Sequence, residues 1–234
     1  MARLVLIPTP IGNLGDITLR AIETLKQADL VMAEDTRTSG FLLKHLGINK
    51  KIKSFHKFNE HKILASLVQN ISSNQLSALL SDAGTPGISD PGYLLVNACI
   101  EAGIEIECLP GPTALIPALV VSGLPSDRFC FEGFLPVKKG RKTAIELLKT
   151  ELRTIIFYES PHRLVKTLDE LSLSFEPERK ACVSRELSKK FEEIKRGTLL
   201  ELAAYFKTKT PKGEIVLVVA GRDGKKEKKL MKKA

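Results

Sequence analysis

The chain reads as an α/β protein of two α/β domains, the N-terminal one on a mostly parallel sheet and the C-terminal one on a mixed sheet. Three observations predict it. Through the first half, short aliphatic runs alternate with helical patterns, the signature of parallel strands joined by right-handed crossovers. Around Ser122 to Asp127, Ser-Gly-Leu-Pro-Ser-Asp, that alternation breaks, as at a domain boundary. Beyond it charged stretches separate the elements, and the last is the apolar run Glu214 to Ala220, which suits a strand buried on both faces. The expected division is 1–121 and 122–222, with a basic tail over 223–234.

Arg3 to Ile7 is the first strand. The Gly/Pro-rich loop Pro8 to Asp16 follows, then a helix from about Thr18 with Leu19, Ile22 and Leu25 inward. This loop carries neither G-x-G-x-x-G nor G-x-x-x-x-G-K-S/T, which argues against a Rossmann dinucleotide site and against an NTPase. Leu30 to Ala33 is a strand with Glu34-Asp35-Thr36-Arg37 at its carboxyl end, the edge at which open parallel sheets bind ligands. The same cluster serves equally well as a cap, through Asp35 or Thr36, for a helix over Phe41 to Leu46. Ile52 to Asn59 mixes aromatic and basic residues, which suits a nucleic-acid strand and suits an ordinary short strand too. His56 and His61 lack the spacing and companions of a metal site.

Leu76 to Leu80 is a buried strand, and the twelve residues Ser81 to Gly92 that follow exceed the roughly two to six of an ordinary strand-to-helix turn. We read them as a ligand loop. Their glycines let backbone approach a ligand, while Pro86 and Pro91 restrict rearrangement. Asp90 and Pro91 are read as N-cap and first position of a helix with Leu94, Leu95, Ala98, Cys99 and Ala102 on one face, ended by Gly103. Ile104 to Leu109 is another strand, running into a third Gly/Pro loop, Pro110 to Ala114, that opens a helix.

The second half gives a strand at Arg128 to Glu132, the basic loop Lys138-Lys139-Gly140-Arg141-Lys142, a helix to about Glu151 and a strand at Thr154 to Tyr158. Ser160 and Pro161 are placed to start a helix with Leu164, Val165, Leu168 and Leu171 inward. A strand near Lys180 to Arg185 leads into Glu186 to Glu193, where charges crowd a segment that the apolar pattern does not require. Leu199 to Phe206 is a short helix before the final strand.

The net charge is +9, of which residues 225–234, with six lysines and one glutamate, carry +5. A mildly basic body with a basic tail fits a polyanionic partner and fits a solubilising terminus as well. No apolar run reaches the roughly 18 residues of a membrane span, and the N-terminal run is too short for a signal peptide, so a cytoplasmic protein without membrane attachment is expected. Cys99, Cys108, Cys130 and Cys182 are scattered through apolar patterns and are expected as reduced core residues. Three main-chain-rich loops with few fixed positive charges suit a neutral or cationic nucleoside-like cofactor better than a triphosphate.

Residues 6–21 (Leu-Ile-Pro-Thr-Pro-Ile-Gly-Asn-Leu-Gly-Asp-Ile-Thr-Leu-Arg-Ala), 33–37 (Ala-Glu-Asp-Thr-Arg), 81–92, 131–136 (Phe-Glu-Gly-Phe-Leu-Pro), 157–164 (Phe-Tyr-Glu-Ser-Pro-His-Arg-Leu), 185–193 and 213–219 resemble, in order, the tetrapyrrole methylase superfamily, the class III methyltransferases. Within it they are similar to the branch that methylates small-subunit ribosomal RNA. Gly84-Thr85-Pro86 stands where the porphyrin-methylating relatives carry Gly-Asp-Pro.

The resemblance implies two α/β domains with S-adenosylmethionine in the cleft between them, and a homodimer. The reaction it implies is 2′-O-methylation of a cytidine ribose in 16S ribosomal RNA, either free or in the assembled 30S subunit, with no metal. It carries cofactor binding onto Pro10, Ile11, Asp82, Ala83, Gly84, Thr85, Ile88, Ser89, Pro112, Thr113, Ala114 and Tyr158. Glu34, Asp35, Arg37, Glu159, Arg185, Glu186 and Lys189 are candidates for the chemistry. Methyl transfer from a sulfonium is an in-line displacement that gains from alignment, and the weakly acidic hydroxyl gains from a base or cation. We expect Asp35 or Glu159 to handle the proton, and Arg37 and Lys189 to contact phosphate or oxygen. Longer relatives carry a further C-terminal domain; here RNA capture is expected to rest on Lys138 to Lys142, the dimer surface and the tail. Other readings are a methyltransferase of a small, tetrapyrrole-like molecule and a non-catalytic ribosome assembly factor.

Overall fold

Leu4 and Leu6 point to one face of the first strand, Val5 and Ile7 to the other, and all four are buried. Such a strand needs cover on both sides. In the computed structural model, which describes residues 1–56, 60–209 and 211–223 with the side chains of 60–62 excepted, that cover is helical. The chain forms two compact units, Met1–Thr113 and Ala114–Ala234.

In the first unit β1 (Arg3–Ile7), β2 (Leu30–Ala33), β3 (Ile52–Ser54), β4 (Leu76–Leu80) and β5 (Glu105–Cys108) form a parallel sheet in the order β3-β2-β4-β1-β5. Between them run α1 (Leu19–Gln27), α2 (Thr36–His45), α3 (Glu60–Ser72) and α4 (Tyr93–Glu101). Val5 and Ile7 pack with Leu25 of α1 and Leu43 of α2, whereas Leu4 and Leu6 pack with Leu67 of α3 and Leu95 of α4. The helices therefore divide between the two faces. β1 and β4 are neighbours at the centre, yet β1 leads to β2 on one side and β4 to β5 on the other. A crevice opens at strand ends whose outgoing connections diverge in this way.

The second unit begins with α5 (Leu115–Ser122), followed by β6 (Phe129–Phe134), α6 (Arg141–Leu148), β7 (Thr154–Glu159), α7 (Leu164–Ser174), β8 (Lys180–Arg185), β9 (Glu193–Thr198), α8 (Leu199–Thr208) and β10 (Ile215–Val219). Its sheet, β6-β7-β10-β8-β9, pairs β6 with β7 in parallel and the rest antiparallel, so it is mixed as expected. Leu217 and Val219 of β10 share a core with Leu168 and Leu171 of α7 and Leu202 and Phe206 of α8. α5 packs against β7, β8, β9 and β10. That packing puts the division at the N-terminal end of α5, not at the break after Val121 that the sequence suggests.

Two elements were not expected from sequence, α3 and β9. Other local readings change as well. The helix after β2 starts at Thr36 and not at Phe41, with Asp35 as its N-cap. α4 is capped by the backbone of Gly92 with no side-chain bond, so Asp90 is not its cap. α7 begins at Leu164, after a turn in which the Ser160 carbonyl accepts from the amides of Arg163 and Leu164. Of the cysteines, Cys99 and Cys182 are buried and Cys130 is half-buried, but Cys108, on the edge strand β5, is exposed. The tail over 224–234 lies outside the described residues, as do Lys57 to Asn59 of the aromatic-basic stretch.

Candidate functional site

The loops at the carboxyl ends of β1, β4 and β5 are joined by short polar contacts. Thr9 and Gly84 exchange both backbone hydrogen bonds at 2.9 Å, forming a small antiparallel bridge beyond the parallel strands. The buried Thr9 hydroxyl donates to the Ser81 carbonyl (3.0 Å), and the Ser81 hydroxyl to the Gly84 carbonyl (2.8 Å). Thr85 Oγ1 donates to the Pro112 carbonyl (3.3 Å), which ties the β4 loop to the β5 loop. Gly84 has φ +84°, and a Cβ there would lie 3.7 Å from Ile11 Cγ2 and 3.9 Å from the Pro112 oxygen. Gly111 has no room at all, since its Cβ would fall 2.7 Å from Pro8 Cβ. Pro10, Ile11, Asp82, Ala83, Gly84, Thr85 and Pro112 are thus drawn to one end of the sheet.

Ile88 and Ser89 continue the same loop and are exposed, Ser89 in the left-handed region at φ 65°. A non-glycine residue held there costs of order 1–3 kcal/mol and is commonest where a ligand is gripped. Thr113 closes the first unit.

At the end of β2 the Asp82 carboxylate accepts from the Asp35 amide (3.0 Å). Asp35 in turn accepts from the Arg37 amide (2.8 Å) and from the Arg37 guanidinium through Nε (3.1 Å) and Nη2 (2.6 Å). Those bonds, the side-chain ones first, hold the Asp35 carboxyl down at about 2. Arg37 extends its side chain into solvent, 90% exposed. Asp90 behaves oppositely. Burial, and then the charges of Glu34 and Asp82, push its carboxyl up to about 7. Sequence reasoning treated it as helix punctuation, and the signal that could have recovered it was the second acid in one loop, Asp82 and Asp90.

The remaining sequence-predicted residues are in the second unit. Ala114 is its first residue. Tyr158, on β7, packs edge-on against Phe131 (4.9 Å between ring centres) and Phe134 (5.8 Å). Glu159 is buried and fully engaged: Oε1 accepts from the Ser160 amide and pairs with Arg163 (both 2.7 Å), and Oε2 accepts from Thr167 (2.6 Å). Lys189 is bracketed by Glu186 (2.9 Å) and Glu214 (3.0 Å), in a loop where Glu186 and Ser188 both have positive φ. Arg185 pairs with Glu193 at 3.1 Å. Arg141, expected in a solvent-facing basic loop, is buried. Among the described residues no three His, Cys, Asp or Glu are grouped to hold a metal ion, and no helix is long and apolar enough to cross a membrane.

Known proteins give the arrangement a context. The sequence model of the tetrapyrrole (corrin/porphyrin) methylases matches residues 3–203. The chain is 53% identical over 222 residues to the ribosomal RNA small subunit methyltransferase I of Synechocystis, covering 94% of this chain and 80% of the relative. It is 44% identical to the protein of that name from Thermotoga maritima, covering 95% of this chain and 100% of the relative. Among solved structures it resembles a diphthine synthase (TM-score 0.71, 14% identity, 93% of this chain and 89% of the other). It also resembles a Thermus thermophilus uroporphyrin-III C-methyltransferase complexed with S-adenosyl homocysteine (TM-score 0.65, 20% identity, 92% and 96%). At those identities the structural likenesses establish the fold.

Proposed function

From the premise that this chain belongs to the tetrapyrrole methylase family, and within it to the ribosomal RNA small subunit methyltransferases I, we propose that it is an S-adenosylmethionine-dependent 2′-O-methyltransferase of a cytidine in 16S ribosomal RNA. The observation that carries the proposal is the junction at the centre of the first sheet. There the Thr9–Gly84 bridge brings Ile11 and Pro112 together at the strand ends, and the charges of Glu34 and Asp82 act on Asp90 in the same loop region. These residues fit the methyl donor. Main-chain groups of these loops serve a nucleoside, and the carboxyls of Glu34, Asp82 and Asp90 suit a cation. When bound, S-adenosylmethionine supplies an electrophilic methyl carbon on a positively charged sulfur.

The chain's own residues account for the rest of the reaction. Pro10, Ile11, Ala83, Gly84, Thr85, Ile88, Ser89, Pro112 and Thr113 bind and orient the donor. Arg37, exposed and aimed by Asp35, meets an RNA phosphate. Asp35 is too weak a base for a ribose hydroxyl, and both oxygens of Glu159 are occupied. Asp90, poised near neutrality and free of cap duty, is the better acceptor for the 2′-hydroxyl proton. Lys189, neutralised by two glutamates, orders its own loop. We also place the protein in the cytoplasm as a homodimer, in which exposed Tyr93 and Ile100, both on α4, supply apolar surface that a partner copy would cover.

Titration calorimetry with S-adenosylmethionine, together with mass mapping of 16S ribosomal RNA methylated by the purified chain, tests this reading. Micromolar or tighter binding and one added methyl on a cytidine ribose are expected. Donor binding with methylation of a tetrapyrrole instead of RNA would reassign the substrate, and absence of donor binding would end the enzymatic reading.

A further inference from the structure

The basic stretch that runs from the loop after β6 into the first turn of α6 contains a cation that cannot meet a ligand. Arg141 is 6% exposed, while Lys138, Lys139 and Lys142 around it are exposed and, among the described residues, make no ion pair. Burying a guanidinium is costly unless its donors are satisfied. Here Nε donates to Glu170 (2.7 Å), Nη1 to the Pro136 carbonyl (3.2 Å) and Nη2 to the Thr167 hydroxyl (2.7 Å). The fully buried Thr167 passes its own proton donor to Glu159 Oε2 at 2.6 Å. Glu159 then pairs with Arg163, whose Nη1 donates to the Leu135 carbonyl (3.1 Å). Two guanidiniums on opposite sides of one carboxylate therefore hold consecutive carbonyls, Leu135 and Pro136, at the start of the loop.

Gly140 makes the division of labour possible. At φ +83° it turns the chain so that Arg141 faces inward while the flanking lysines face water, and the Arg141 amide closes the turn on the Lys138 carbonyl (3.3 Å). A polar network with nearly all its members satisfied fixes one conformation. Three unpaired ammonium groups, Lys138 and Lys139 on the loop and Lys142 in the first turn of α6, anchored through this network to the last residue of β7, form a surface suited to a phosphate backbone.

Building on the ribosomal RNA reading above, we propose that Arg141 is a positioning residue: through Thr167 and Glu159 it fixes Lys138, Lys139 and Lys142 as an RNA-backbone clamp registered to the end of β7. The lysines neutralise phosphates. Arg141 touches none.

The test is the salt dependence of binding to a fragment of small-subunit ribosomal RNA, measured beside donor affinity by calorimetry and thermal unfolding. Replacing the three lysines by alanine should lower the slope of log K against log salt by about 2, at roughly 0.7 per single-strand phosphate, and leave donor affinity unchanged. Thr167→Val and Arg141→Lys remove no charge, yet they should lower the slope by a similar amount. Thr167→Ser, which keeps the hydroxyl, should restore it. Arg141→Lys on the triple-lysine background should add nothing, because the two act through one loop. A wild-type slope in folded Thr167→Val would overturn the proposal, as would a triple-lysine variant with wild-type binding. So would an Arg141→Ala loss that adds to that of the lysines, since it would make Arg141 a direct contact. If Thr167→Val does not fold, Glu170→Gln, at a partly exposed position, gives the same reading. A wild-type chain that binds donor but no ribosomal RNA would instead remove the functional reading beneath the proposal.

Discussion

If Asp90 is the proton acceptor proposed above, its chemistry comes at a cost to stability. Its pKa is pushed up to about 7 from an ordinary 3.8, first by burial and then by Glu34 and Asp82, so the folded state holds a proton that the unfolded chain releases. Stability from this group is fully present below pH 3.8 and is lost as pH rises to about 7, beyond which the loss is constant. Because the carboxyl is partly exposed, water screens the effect, and on the order of 1 kcal/mol is expected. Asp90→Asn should flatten that slope in urea titrations between pH 4 and 8 and leave the variant more stable than wild type at pH 8. Its catalytic effect should be opposite in sign. With Asp90 as proton acceptor, turnover rises through about pH 7 and levels off above it. The asparagine variant should lose that limb and about two to four orders of magnitude in kcat, with donor affinity nearly unchanged. An unaltered pH profile in Asp90→Asn would assign the proton to another group. Asp35, held at about 2 by Arg37, stays ionised over this range and contributes no such limb.

At the scale of elements, the junction of loops is more closely bonded and packed than a Gly/Pro composition suggests. Gly111 is where this can be measured, because an added Cβ meets Pro8, whose ring is anchored to the backbone just after β1. Gly111→Ala should force the β1 and β5 loops apart, lowering stability by about 1–3 kcal/mol and weakening donor binding. Chemical denaturation and calorimetry on one preparation would show both, and an unchanged donor affinity would mean that the loop spacing is not part of the site. The strands flanking this junction were legible because buried parallel strands must be aliphatic, as in Leu76 to Leu80. β9 was not legible: Glu-Ile-Lys-Arg-Gly-Thr lies at the sheet edge, pairs with β8 alone and needs no apolar face. Asp90 was misread because local capping rules cannot see that Gly92 begins the helix. Arg141 was misread because its partner Thr167 lies 26 residues away, and no local pattern encodes that contact.

At the scale of the whole molecule, motif order was sufficient to place the chain in its family, because several long motifs follow one another in the same order along it. What it could not supply was which charges work together, since a net charge of +9 is a sum without positions. The structure separates part of that sum: Arg141, Arg163 and Arg179 are drawn into carboxylate partners, while Lys138, Lys139 and Lys142 face water. Residues 225–234, with a charge of +5, are a second reserve in the sequence. If these lysines meet RNA, deleting 225–234 should flatten the salt slope by up to about 4, at roughly 0.7 for each of six lysines. Donor affinity and thermal stability should be unchanged. Because the tail and the clamp loop would neutralise different phosphates, their slope losses should add, unlike those of Arg141 and the lysines it positions. A deletion that leaves the slope intact would make the loop the main electrostatic contact, and the clamp lysines alone would then have to account for most of the measured salt dependence.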